Sequence, residues 1–304
     1  MTELRVRVPA TSANLGPGFD AFAVALPLLA EFDVRPARAW SITLEPEGPE
    51  EQDIPVNEEN LFVVGARAAA KAIGQSLTPL YVAQRSRIPL GRGLGSSAAA
   101  IVGGVVCANA LLGEPLERRA LLRIAAEVEG HADNVAAALY GAFTVAVPTA
   151  DGPVAARFVF PRAWRACLFV PRSTITTQTS RAMLSKDVSR ADAVFNLAHA
   201  SALVAAILRA DGALLSLAMH DRLHQPERST QVPALEEIVR AAREAGAFGA
   251  ALSGAGPSVL AFAPARLAPR VAAAMEEAGS LGEVPGRGRV VRVRAAGAQV
   301  SRNS

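Results

Sequence analysis

The segment Pro89-Leu-Gly-Arg-Gly-Leu-Gly-Ser-Ser-Ala98 constrains this chain more than any other. Glycines at 91, 93 and 95 can each take positive φ and leave bare backbone on one side of a turn. The small and apolar residues that follow, from Ser96 to about 112, predict a helix. A glycine turn feeding a helix offers unpaired N–H groups and the positive end of a helix dipole. That is a ready site for an anion, phosphate above all. Ser96 and Ser97 add hydroxyls that can bond a phosphate oxygen or a metal ion. The competing reading is a tight strand-to-helix turn with a serine cap.

The familiar nucleotide and hydrolase signatures are absent. Lys71 follows Ala70 and Lys186 follows Ser185, so there is no Walker A Gly-Lys-Ser/Thr. After Gly91 and Gly93 the third position of a Rossmann fingerprint is Ser96, and after Gly254 and Gly256 it is Val259. Ser253 and Ser258 each lack one glycine of a nucleophile elbow. Neither C-x-x-C nor H-E-x-x-H occurs, which argues against zinc.

Over 304 residues, 51% hydrophobic and 19% charged, the composition is that of a folded chain with one large domain or two ordinary ones. The 31 basic residues are all arginine apart from Lys71 and Lys186, and against 28 acidic residues they leave a net charge of +3. No basic run stands out, which argues against nucleic acid as a partner. Cys107 and Cys167, each in apolar surroundings, read as reduced core thiols. No charged-then-apolar leader opens the chain, and no window approaches the roughly 20 uninterrupted apolar residues of a membrane span. These features predict a cytoplasmic protein without a membrane partner.

Alternation of Leu4, Val6 and Val8 with Arg5 and Arg7 predicts a strand. A polar loop follows at 46–59. Asn60 should cap a helix running to 73 and stopped by Gly74. A strand over 80–87, helices over 96–112 and 117–129, and a strand over 143–147 complete the first half. The second half reads as a strand at 166–170, helical material over 189–219, a helix over 233–245, strands at 247–252 and 258–262, a helix over 267–278 and a strand at 289–294. That order suits a split βαβ sandwich. Residues 297–304 read as a frayed tail.

Two further segments break the apolar texture: Pro9-Ala-Thr-Ser-Ala-Asn-Leu-Gly-Pro-Gly-Phe-Asp20 and Leu252-Ser-Gly-Ala-Gly-Pro-Ser-Val259. Alone, the first is a turn whose Asn14 and Asp20 can bond its own backbone, and the second a glycine hairpin that would admit a ligand. Together with the 89–98 loop they resemble the GHMP kinase superfamily, and within it the homoserine kinases, over the whole chain and in the family's order. The loop at 89–98 and Ser253-Gly-Ala-Gly-Pro257 are similar to superfamily motifs and indicate the reaction type. The dodecamer at 9–20 resembles the homoserine kinase hallmark. The resemblance implies an α+β, two-domain GHMP kinase fold: a ribosomal-S5-domain-2-like unit over 1–160 that binds nucleotide, and a ferredoxin-like sandwich over 161–304. It implies ATP and Mg²⁺, L-homoserine as acceptor with O-phospho-L-homoserine as product on the way to threonine, and a possible homodimer. A GHMP kinase for another small alcohol, or a GHMP-like binding protein without turnover, are the alternatives.

Roles are carried over by the same resemblance. Pro89, Leu90, Gly91, Arg92, Gly93, Leu94, Gly95, Ser96, Ser97, Ala98 and Ala99 would hold ATP, with Asn60 on the adenine side. Glu129, in Glu-Gly-His-x-Asp-Asn134, would hold the metal with Ser97, and Glu127 is the runner-up for that role. Arg181 and Arg228 would bind the substrate carboxylate, with Thr177 near its hydroxyl. Asn14, Asp20 and Asn134 would hold its amine and hydroxyl end. His131 is read as supporting a neighbour. Asn134 stands where some relatives place an aspartate, which implies phosphoryl transfer without a carboxylate base.

Overall fold

The computed structural model describes residues 3–45 and 54–302, the side chain of Thr177 excepted; most of the polar loop read at 46–59 therefore lies outside the described residues. The first half forms β1 (Leu4–Asn14), β2 (Gly18–Pro36), β3 (Ser41–Glu45), α1 (Leu61–Ile73), β4 (Leu80–Ser86), α2 (Ser96–Leu111), α3 (Arg118–Glu129), α4 (Asp133–Tyr140), β5 (Phe143–Val147) and β6 (Val154–Phe158). The second half forms β7 (Trp164–Pro171), α5 (Thr177–Ala182), α6 (Arg190–Arg209), α7 (Gly212–Ala218), α8 (Gln225–Arg228), α9 (Leu235–Glu244), β8 (Gly249–Leu252), β9 (Val259–Pro264), α10 (Ala268–Leu281), β10 (Gly286–Val291) and β11 (Gln299–Arg302).

Local signals act at the positions that carry them. Asn60 caps α1 by accepting the Phe62 N–H, and Gly74 closes that helix in the left-handed conformation. Gly130 does the same for α3. The helix of small residues, α2, is buried from Ala98 to Asn109. It crosses α1 backbone to backbone, because a Cβ on Gly104 would overlap the Phe62 carbonyl and one on Gly65 the Ile101 carbonyl. These helices and α4 cover the sheet through one continuous core that includes Phe32, Phe62 and Phe143.

That first sheet has seven strands, in the order β11-β1-β2-β4-β3 with β5 and β6 branching from β2. The 19-residue β2 serves two partners: its start pairs with β5 and its end with β4. Its register with β1 slips between Pro9 and Ala10, leaving Pro27 and Leu28 unmatched. Proline is tolerated in a strand at such a bulge. The second sheet runs β10-β7-β9-β8, all antiparallel, with α9 and α10 closing a second core around Phe169 and Leu252. This is the strand order of a ferredoxin-like sandwich, so the two-unit α+β reading holds.

The chain's end departs from expectation. Residues 297–302 are not a frayed tail, and residues 303 and 304 lie outside the described residues: β11 pairs with β1 from Leu4↔Arg302 to Arg7↔Gln299, and the Ala298 N–H donates to the Ala138 carbonyl. Gln-Val-Ser-Arg has no apolar stripe to betray a strand. Its order comes from the backbone ladder that closes the open edge of β1. The strand read at 289–294 instead spans Gly286–Val291, because Gly286 and Gly288 lie flat against Phe169 and Ala272 rather than turning. Both cysteines are buried free thiols, each pushed up to about 12 by burial. By length and a mean hydropathy of 1.6, α6 matches a membrane span; it packs on the core through Leu203, Ala206 and Ile207 while Val194, Leu197 and Leu208 are exposed.

Candidate active site

The three glycine-rich segments, far apart in sequence, are bolted together by two serines. The Ser253 hydroxyl donates to the Gly93 carbonyl and is hydrogen-bonded to Ser12, both at 2.7 Å. No side chain fits between the loops, since a Cβ on Gly93 would overlap the Ser253 carbonyl. Gly91, Gly93 and Gly95 all have positive φ, from +61° to +71°. Thr11 is held from both sides: its N–H donates to the Leu94 carbonyl at 3.0 Å and its hydroxyl to Asn134 Oδ1 at 2.7 Å.

What the loop presents is a bare helix start. Gly95 is the N-cap of α2, and no side chain caps the helix. The first N–H groups of a buried helix are thus left without the serine cap that the alternative reading requires. They open into a cavity of about 240 Å³. It is lined by Gly91, Gly93, Gly95, Ser96 and Ser97, by Glu129, His131, Asp133 and Asn134, and by Asn14, Asp20, Arg181 and Arg228.

The Ser97 hydroxyl donates to Glu129 Oε1 at 2.6 Å. Burial raises the Glu129 carboxyl above its ordinary value, partly offset by that hydrogen bond and by His131. His131 places Nδ1 2.8 Å from Asp133 and Nε2 3.5 Å from Glu129. Burial lowers that imidazole, but the Asp133 hydrogen bond and the two carboxylates outweigh it, so its pKa is raised. In the same cavity Arg181 grips Asp20 with two hydrogen bonds, of 2.7 and 2.9 Å. Arg228 is 3% exposed, donates to the Gly254 carbonyl, and has its Nε without a hydrogen-bond partner. Burial, then the nearby Arg181, lowers its pKa. A buried guanidinium with an unused donor is a costly arrangement that an anion would relieve.

Residues 60–142 match the family described as GHMP kinases N terminal domain, and residues 203–281 match GHMP kinases C terminal. Homoserine kinase of Moorella thermoacetica is 41% identical over 273 residues, covering 90% of this chain and 91% of that protein. Homoserine kinase of Desulfitobacterium hafniense is 43% identical with the same coverage. The chain belongs to the homoserine kinase family of GHMP kinases. A crystal structure of homoserine kinase from Cytophaga hutchinsonii matches with a TM-score of 0.87 at 29% identity, covering 98% of this chain and 97% of that one.

Of the residues predicted from the family motifs, Asn14, Asp20, Gly91, Gly93, Leu94, Gly95, Ser96, Ser97, Glu129, Asn134, Arg181 and Arg228 line the cavity. Pro89, Leu90, Ala98 and Ala99 do not line it, and Ala98 and Ala99 are packed into the core, where their side chains cannot meet a ligand. Arg92 lies in the loop, but its side chain turns away and donates to the carbonyls of Leu90, Pro171 and Arg172, tying the loop to the second unit. Asn60 is used by the fold, with its amide bonded to the Pro55 carbonyl and to Gln84 besides the cap. Glu127 is exposed and does not line the cavity, so Glu129 is the carboxylate beside Ser97. Thr177 opens α5, and its side chain lies outside the described residues.

Sequence reasoning missed His224 and Phe19. His224 is fully buried, donates Nε2–H to the Gly16 carbonyl at 2.9 Å and accepts from Arg228 at Nδ1, 3.2 Å away. Asp221 anchors this corner, accepting from Asn196 and from the backbone of Leu223, His224 and Gln225. The Phe19 ring stacks on His224 at 5.3 Å, with the Arg228 and Arg181 guanidiniums 5.4 and 5.8 Å from its centre. One signal was legible: His224 precedes Arg228 by one helical turn.

Proposed function

We propose that this chain transfers the γ-phosphoryl group of ATP to the side-chain hydroxyl of L-homoserine, giving O-phospho-L-homoserine and ADP. The observation that carries this reading is the meeting of two donor sets in one cavity. An uncapped helix start stands with the Ser97–Glu129 hydroxyl–carboxylate pair, and two guanidiniums stand with the Asp20 carboxylate. The first set suits a polyphosphate, the second the two charges of an amino acid.

Both halves of the chain contribute: residues 1–160 supply the loop, the Ser97–Glu129 pair and Asp20, and residues 161–304 supply Arg181 and Arg228. ATP would lie with its phosphates against the N–H groups of α2 and the backbone of Gly93 and Gly95. A divalent cation suits the donor set: Ser97 and Glu129 are hard oxygen ligands side by side. Among the described residues no cluster of three or more His, Cys, Asp or Glu side chains could hold a metal alone, so phosphate oxygens and water would complete the shell. When bound, Mg²⁺ neutralises charge on the β- and γ-phosphates.

The protein's own contribution is positioning. Arg181, Arg228 and Asp20 fix the amino-acid end so that the hydroxyl faces the loop, and the dipole of α2 stabilises the phosphates. The hydroxyl oxygen bonds to the γ-phosphorus as the bond to the β–γ bridging oxygen breaks. The hydroxyl proton leaves late, to a phosphate oxygen, because a loose transition state asks little of the nucleophile. Two buried reduced thiols and dependence on ATP fit the cytoplasm.

ADP release with and without L-homoserine, over a panel of small alcohols and with a chelator, tests this reading. Release that requires L-homoserine and stops on chelation is the expected result. Release with another alcohol in preference, or none at all, overturns it in favour of a different acceptor or a binding protein.

A further inference from the structure

Asp20 comes from the hallmark segment in β2 and Arg181 from α5 of the second unit. They form a two-pronged ion pair inside the cavity. Both side chains are about one third exposed, at 35% and 36%. Pairs this accessible add little to the stability of a fold. Yet Asp20 is held for this interaction: it adopts a φ of +55°, and its N–H is fixed by Asn14 Oδ1 at 3.1 Å.

Each partner is the complement of one charge of an α-amino acid. A carboxylate matches an ammonium, and a guanidinium matches a carboxylate. We infer that the Asp20–Arg181 pair is an internal surrogate for the substrate's own two charges, and that it selects zwitterions against ligands bearing one charge alone. This rests on the reading of the cavity as an amino-acid kinase site.

Consider a ligand with a carboxylate and no amine. The buried Arg228, with its unused Nε, attracts it. To engage Arg181 as well, it must strip that guanidinium from Asp20, leaving a carboxylate unpaired beside a second one. A ligand with an amine and no carboxylate has the mirror problem. It must draw Asp20 from Arg181, leaving two guanidiniums facing the same Phe19 ring with nothing between them. Like charges gathered in one small cavity repel even where they are partly solvated. A zwitterion alone exchanges one internal pair for two external ones with no change in net charge. Asp20 therefore works in two ways, as a ligand for the amine and as a penalty against anions that lack one.

A partner that merely binds substrate would weaken all ligands when removed, whereas a selector gives changes of opposite sign. The probes are L-homoserine, its des-amino analogue 4-hydroxybutyrate and its decarboxy analogue 3-aminopropan-1-ol, titrated calorimetrically onto the full chain. Asp20→Asn is isosteric and tolerates the left-handed backbone. It should weaken L-homoserine by about 10-fold or more, because the ammonium no longer meets a carboxylate. It should strengthen 4-hydroxybutyrate by about 3-fold or more, because the repulsion between two carboxylates is relieved. Arg181→Gln should do the reverse for the amine probe, weakening L-homoserine and strengthening 3-aminopropan-1-ol by about 3-fold or more as Asp20 is freed. Thermal unfolding of both variants shows that they fold. Analogues that weaken in step with L-homoserine, or that do not respond, overturn the selector while leaving the kinase reading intact if the wild type still turns over L-homoserine. A wild type that neither binds nor phosphorylates L-homoserine overturns both.

Discussion

The Ser97 hydroxyl, on the first turn of α2, donates at 2.6 Å to Glu129, the last residue of α3. A helix start and a helix end thus deliver a hydroxyl and a buried carboxylate to one point of the cavity. Burial disfavours the ionised carboxylate, so the metal-ligand role proposed for Glu129 would be held against its own desolvation cost.

Glu129→Gln should therefore separate activity from stability. Without the anionic ligand kcat should fall by at least about 100-fold, an electrostatic-scale loss. Stability should move the other way. A carboxyl whose pKa is raised by folding adds stability at low pH and loses it as pH rises through the raised value. At pH 7 the wild type carries that penalty and the glutamine variant does not. In metal-free buffer the variant should unfold at a higher temperature at pH 7, the gap closing toward acid pH. A lower unfolding temperature for the variant at pH 7 would show that the Ser97 hydrogen bond outweighs desolvation.

Gly95→Ala probes the loop. The Cβ would overlap the Thr11 hydroxyl, which bonds Asn134, and would sit on a φ of +71°. The left-handed backbone alone costs about 1–2 kcal/mol. ATP affinity should fall by roughly tenfold or more, since displacing Thr11 shifts the start of α2; Gly95→Val should be worse. Equilibrium denaturation and nucleotide titration check the two effects, and unchanged ATP affinity would remove the loop from the site.

Much of this was legible because caps and glycine turns are local. Asn60, Gly74 and Gly130 end their helices by their own chemistry, and the 91–95 turn declares itself by spacing. β11 and the long β2 were not legible. One owes its order to a ladder with a residue nearly three hundred positions away, and the other carries a proline at a bulge. At the site, the family motif found Arg228, but its support could not be read. His224 and Asp221 from one segment and Phe19 from another converge on it, and beyond the one-turn spacing of His224 and Arg228 no local pattern marks a histidine that bonds the carbonyl of Gly16.

Arg228→Ala should weaken L-homoserine by roughly 30- to 1,000-fold, the range expected for about 2–4 kcal/mol of a desolvated charge-assisted interaction. ATP affinity should change little, because the partner proposed for the guanidinium is the substrate carboxylate and not the phosphates. Separate titrations with the two substrates decide the matter. An equal loss for both would point to a misplaced loop rather than to the removal of a substrate ligand.

His224 should reveal itself in stability and in its pH dependence. Its pKa is lowered chiefly by burial and further by Arg228, against the opposing pull of Asp221, the Gly16 carbonyl and Asp20. A base held neutral in the fold supports stability above its ordinary value, and that support is lost as pH falls below about 6.5. His224→Leu should cost about 1–3 kcal/mol at pH 7 by leaving the Gly16 carbonyl and an Arg228 donor without partners. It should also flatten the fall in stability between pH 7 and 5, as read by urea denaturation. His224→Gln, able to donate and accept at once, should restore part of the loss.

The base-free mechanism is tested by the polar knot after α3. Asn134, where some relatives place an aspartate, cannot take a proton at neutral pH, and its Oδ1 is occupied by the Thr11 hydroxyl. Asp133 is engaged by His131 and by the Asn134 N–H at 2.7 Å. His131 has one ring nitrogen toward Asp133 and the other toward Glu129, and its raised pKa favours the imidazolium, which has no lone pair to offer. Each candidate base is thus spent on a neighbour, and its role is to orient Glu129 and the start of α4. His131→Asn and Asp133→Asn should therefore each lower kcat by less than the roughly 100-fold expected for Glu129→Gln. Neither should remove an ionisation from the kcat–pH profile beyond that of the metal-binding carboxylate. If one of them abolishes turnover with both substrates still bound and the basic limb of the profile gone, that residue accepts the hydroxyl proton, and transfer here is base-catalysed.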